Sequence, residues 1–110
     1  MYLLAGGYLC TPKQIKEWFK QRGVELSTKD HYAIQGNRYL RDHNFHARIR
    51  SCEYQGKQRF IVLTHTTEIH DYIAIYAKYE CFEEDAEACA VKEEMGLRDV
   101  EFVTHTIYLY

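Results

Sequence analysis

Proline is almost absent from this chain: 110 residues contain one, Pro12, and six glycines. No Pro-rich linker, low-complexity tract or charge block interrupts it, so the length reads as one domain over residues 1–110. Long apolar runs are missing too. The nearest, residues 1–10, is too short to span a bilayer and lacks the charged start of a secretory signal. It reads as a short buried strand or packing segment, and the expectation is a soluble, cytoplasmic protein without membrane contact. Neither sign of charge dominates, with 14 Lys and Arg against 16 Asp and Glu. That excludes nucleic-acid binding driven by overall charge and leaves only a local basic patch. The four cysteines, Cys10, Cys52, Cys81 and Cys89, form no C-x-x-C pair and match no common zinc module, which reads as reduced, half-buried thiols. No Gly-rich phosphate loop follows a strand, no Gly-x-Ser-x-Gly elbow exists, and no cofactor is implied.

What the chain has is aromatic mass and histidine. Ten Tyr and five Phe favour a globular fold, with tyrosine packing its ring while offering a hydroxyl at an edge. Thr11, Pro12 and Gln14 mark the start of a first helix, followed by Ile15, Trp18, Phe19 and Arg22 at helical spacing and stopped by Gly23. Ser27 predicts the cap of a second helix, along which Tyr32, Gly36, Tyr39, Leu40 and His43 share a stripe. The period then changes to two. Residues 45–54 and 57–66 predict strands joined at Gln55-Gly56 as a hairpin. Residues 67–79 suit a helical face better than a buried strand, although both patterns are present. Residues 83–95 predict a helix ending at Gly96, and residues 100–109 a closing strand. The order predicts an α+β domain: an N-terminal helix pair, a β-hairpin, a helix and a closing strand, with helices packed on one face of an antiparallel sheet.

Two of the six histidines lie in matching contexts, Val62-Leu63-Thr64-His65-Thr66 and Phe102-Val103-Thr104-His105-Thr106. His46, Arg48 and Arg50 alternate, so one strand face holds all three. The hairpin register decides what they meet. A two-residue Gln55-Gly56 loop pairs Tyr54 with Lys57 and sets His46 opposite His65. A turn with Gly56 as a left-handed bulge pairs Glu53 with Lys57 instead and sends His65 to the other face. In the first register, with the closing strand in phase, His105 joins the pair.

Such a cluster has definite chemistry. His46 with His65 or His105 would exchange protons, and Arg48 and Arg50 would hold a phosphate or carboxylate. The leading expectation is a domain that binds an anionic small molecule or a partner through its sheet. The alternative is a metal-independent acid–base enzyme acting on a phosphoester or other anion, with His46, His65 and His105 as catalytic candidates. A metal-dependent enzyme built on the same histidines stands third. A homodimer through the aromatic closing strand is a further expectation. Cys52 shares a face with Arg48 and Arg50, where a thiolate would be favoured.

Two short resemblances fail on inspection. Residues 14–22 look like part of a homeodomain recognition helix, but Gln21 occupies the adenine-reading position and no space precedes Thr11 for two helices, so DNA binding is not expected. His65-Thr66-Thr67 fits the motif of two-histidine phosphoesterases, which His105-Thr106-Ile107 breaks.

Overall fold

A computed structural model of the chain describes residues 2–24, 32–69 and 82–108. Their elements run β1 (Tyr2–Cys10), α1 (Pro12–Gln21), α2 (Tyr32–Asp42), β2 (Arg48–Tyr54), β3 (Lys57–Ile69), α3 (Ala86–Met95) and β4 (Phe102–Tyr108). The strands form one antiparallel sheet in the order β2-β3-β1-β4. This is an α+β domain with split βαβ connectivity, its first crossover carrying two helices.

The expected helix signals act as written. The Thr11 hydroxyl accepts the Gln14 N–H at 3.2 Å while the Gln14 side chain accepts the Thr11 N–H at 2.8 Å, closing the capping box around Pro12. Gly96 ends α3 in the left-handed region, at φ 65°. The segment 2–10, read as a short buried strand or packing segment, is a strand, the second-longest described, central between β3 and β4. Three readings change. Residues 67–69, expected to open a helix, continue β3 instead, because β1 supplies them with ladder partners as far as Ile69; residues 70–79 of that expectation lie outside the described residues, as does the Ser27 cap. The helix expected from residue 83 starts at Ala86, since the Asp85 carboxylate takes the Ala88 N–H at 2.9 Å and fixes the N-cap there. Strand β2 begins at Arg48, leaving His46 in the preceding coil.

All three helices pack on the same side of the sheet. Their apolar residues Ile15, Trp18, Phe19, Leu40, Ala88, Val91 and Met95 merge with Tyr8, Cys10, Ile49, Phe60 and Val62 in one buried cluster. A smaller cluster of Ala5, Ile61 and Leu63, flanked by Leu3, Leu9 and Cys52, lies on the opposite face and contains strand residues alone. That second face has no described helix over it.

Two details set the geometry of the site. Gln55 (φ 52°) and Gly56 (φ 74°) are both left-handed, the two-residue turn whose twist matches a hairpin, and they pair Tyr54 with Lys57. Between β1 and β3 the register then slips: Gly6 faces His65 but Gly7 faces Leu63, so Thr64 is an extra residue, a β-bulge.

Candidate functional site

The site grows out of the edge strand β2. Asn37 of α2 donates its amide to the Ile49 carbonyl at 3.0 Å and accepts the Ile49 N–H, so one side chain satisfies the outer edge of β2 as a neighbouring strand would. This clamp joins α2 to β2 and leaves a groove of about 590 Å³ between them. Arg38, Arg41, His46 and Arg48 supply its polar lining together with Asn37. A second groove of about 420 Å³ shares Asn37, His46 and Arg48 and extends over the open face past Arg50, Leu63, Thr64 and Thr66. Among the described residues neither lining contains an acidic side chain. Arg41 lies 3.7 Å from Asp42 at the surface, and no described residue forms an ion pair with Arg38, Arg48 or Arg50.

Overall neutrality therefore conceals a separation of charge. Residues 38–59 hold six Lys and Arg against two Asp and Glu, whereas residues 82–101 hold two against eight. The first stretch builds the α2–β2 side, and the second builds α3 and its flanks. Arg38 and Arg41 are part of the site that sequence reasoning missed. The signal was available, since an Arg-x-x-Arg pair on a helix precedes an Arg-x-Arg strand, but only the α2–β2 contact brings the two together.

The structure brings His46, Arg48 and Arg50 into one groove, with His46 reaching it from the coil before β2 and not from the strand itself. It does not bring the three histidines together. The first register holds, yet the bulge at Thr64 adds a step to β3: Leu63 and Thr64 both line the open-face groove, and His65 turns to the helix side. There its ring lies 5.6 Å from that of Phe82 and 5.9 Å from that of Phe102. His105 stays on the open face opposite Ala5, but on β4, where its ring lies 6.0 Å from Tyr54. Among the described residues no three His, Cys, Asp or Glu side chains gather into a metal-binding group.

His65 has a different circle of partners. Its Nε2–H donates to Asp85 Oδ2 at 2.7 Å, and its Nδ1 lies 2.7 Å from the Thr64 hydroxyl, which also reaches the Gly6 carbonyl at 3.2 Å. A hydroxyl has one proton to give. With a neutral ring, Thr64 donates to Nδ1; with an imidazolium, Nδ1–H donates to Thr64, whose proton is then free for Gly6. These contacts pin the bulge to the N-terminus of α3. The Ala88 N–H and then His65 hold the Asp85 carboxyl below its ordinary value of 3.8. A carboxyl with a depressed folded-state pKa adds stability that is complete above the unfolded value and is lost as pH falls through the folded one. Urea unfolding midpoints of wild type and Asp85→Ala should accordingly differ at pH 6 and converge as pH drops below about 4. A gap that stays constant down to pH 2.5 would show that the carboxylate's charge is not what stabilises the cap.

Cys10 and Cys52 are unreactive by environment. Burial pushes the Cys52 thiol up, outweighing the nearby Arg50 and Arg59, so the expected thiolate is not favoured. Burial lifts Cys10 to about 12, with Cys52 adding to the shift.

No protein-family model, no curated protein and no solved structure matches the chain. No described helix is long and apolar enough to cross a membrane.

Proposed function

We propose that the domain is a binding module for an anionic ligand, held in the groove between α2 and β2 by Arg38, Arg41, Arg48 and Arg50 with His46 at the centre. One observation carries the reading: four guanidiniums and an imidazole line two connected grooves to which the described residues contribute no carboxylate, in a chain of net charge -2. Keeping like charges together raises the folded-state energy, and a bound anion relieves that repulsion. Arginine is suited to the task because its planar fork meets phosphate or carboxylate oxygens two at a time. Asn37 fixes the spacing of the two walls, so the cations are positioned before the ligand arrives.

An acid–base enzyme needs a proton donor and acceptor on the same substrate. His46 has no imidazole partner among its groove neighbours, and His65 is committed to Asp85 on the far side. The acid–base reading is therefore not favoured over binding.

Calorimetry with tripolyphosphate tests the proposal. Wild type should bind it, with affinity falling as salt rises. Arg48→Ala/Arg50→Ala removes two charge-assisted contacts of about 1.5–3 kcal/mol each and should weaken binding about a hundredfold or more, with circular dichroism unchanged. Absence of binding in wild type at low salt, or equal affinity in the double variant, would overturn it.

A further inference from the structure

Building on the anion-binding reading above, we infer that the ligand is an extended single-stranded nucleic acid, its phosphates tracked by the arginines from α2 along β2 and a base stacked on Tyr54.

The distribution of the cations favours a polyanion over a compact one. Arg38 and Arg41 are one helical turn apart on α2. Arg48 and Arg50 follow at alternate positions of β2, separated by about 6.6 Å of strand rise. Arg59 comes next, paired across from Cys52. The row then ends at Tyr54, about 20 Å from Arg48 along the strand. A single phosphate accepts forks from two or so guanidiniums and leaves the others repelling one another. A chain of phosphates neutralises each in turn.

What a ligand can reach is the row itself: Arg48 and Tyr54 are exposed and Arg50 and Arg59 half-buried, whereas the apolar residues beneath them on that sheet face, Ala5, Ile61 and Leu63, are buried. The sheet face has no described helix over it. It is also curved. Tyr54 stands on β2 and His105 on β4, the two edges of the sheet; the three strand spacings between them alone amount to about 14 Å in a flat sheet, and their levels along β3, Lys57 and Thr66, would separate them further. Their ring centroids are 6.0 Å apart, so the sheet curls toward this face. Tyr54 is 42% exposed while touching His105, and so offers an aromatic platform next to the cationic row. Phosphate-tracking cations beside an aromatic stack are the two parts of sequence-tolerant single-strand binding. Asp99 and Glu101 border the far side of Tyr54 and His105 and mark where the track stops.

Fluorescence anisotropy with a labelled dodecamer of deoxythymidine tests this directly. Three to five phosphate contacts predict a slope of log K against log salt of about −2 to −3.5. An abasic dodecamer of equal charge should bind about tenfold more weakly, and Tyr54→Leu should abolish that difference. If tripolyphosphate binds while the dodecamer and its abasic analogue are equivalent, the nucleic-acid inference fails and the anion-binding reading survives. Competition by poly-glutamate as effective as by the dodecamer would also overturn it, in favour of an acidic protein segment. If neither tripolyphosphate nor the dodecamer binds, both readings fail.

Discussion

Replacing Gly7 with alanine should destabilise the fold by about 3 kcal/mol or more, out of a total stability of about 5–15 kcal/mol for a domain of this kind. Gly7 sits on the central strand β1, where the bulge at Thr64 draws the β3 backbone close. A methyl there would be driven into the Val62 carbonyl, with the Val62 carbonyl carbon at 2.8 Å and the Leu63 Cα at 3.2 Å. All of these are backbone atoms of a paired strand, which cannot rotate away as a side chain can. Relief requires the strands to part, and β1 is paired on both sides. Gly36 makes the contrast. A methyl at that position meets the terminal Cδ1 of Ile49, a flexible group, and gains helix propensity of about 1 kcal/mol. Urea unfolding should therefore rank Gly36→Ala near wild type and Gly7→Ala far below it. Equal midpoints would mean that the bulge relaxes without penalty.

The same bulge explains why the two-residue register, read from the sequence, sets His65 beside His46 whereas the fold turns it away. Period-two alternation put Arg48 and Arg50 on one face, although His46 lies before the strand, and Gln55-Gly56 offered the two-residue turn. Extrapolating that phase along β3 to His65 assumes an unbroken ladder. The ladder breaks at Thr64 because of contacts with β1, a partner that lies more than 50 residues earlier. Nothing within residues 57–69 announces it; the local trace is the Gly6-Gly7 pair in β1, where glycines permit close backbone approach. Residues 67–69 teach a related lesson. Their apolar spacing fits a helix, yet β1 is long enough to pair with them, and tertiary pairing overrides propensity.

The groove was half legible for a similar reason. A strand shows its own face in its sequence, so Arg48 and Arg50 could be seen as neighbours. Arg38 and Arg41 join them only through α2, and the residue that docks α2 is Asn37, whose amide imitates a strand edge. No periodicity encodes that clamp. Composition was misleading in its turn: net charge averages a basic side and an acidic side that the fold keeps apart.

Trp18→Ala should remove about 3–5 kcal/mol of stability and with it the anion site. Trp18 is 1% exposed, stacked on Phe19 at 4.9 Å and set edge-on to Tyr39 of α2 at 5.2 Å. It is the largest fully buried side chain in the core. Truncation leaves a cavity at the junction of α1 and α2 that the aromatic neighbours cannot fill without leaving their own positions. The loss is not confined to α1. Tyr39 lies on α2 between Arg38 and Arg41, so any settling of α2 toward the cavity shifts both arginines relative to Arg48. It also pulls Asn37 from the Ile49 backbone, and bonds of that geometry weaken steeply with misalignment. Trp18→Phe keeps a ring in the stack and should retain most of the stability. Comparing the two by urea unfolding and tripolyphosphate binding separates packing from positioning. If Trp18→Ala stays folded yet binds tripolyphosphate as tightly as wild type, α2 is held in place by its other contacts, and the groove does not depend on the aromatic junction beneath it.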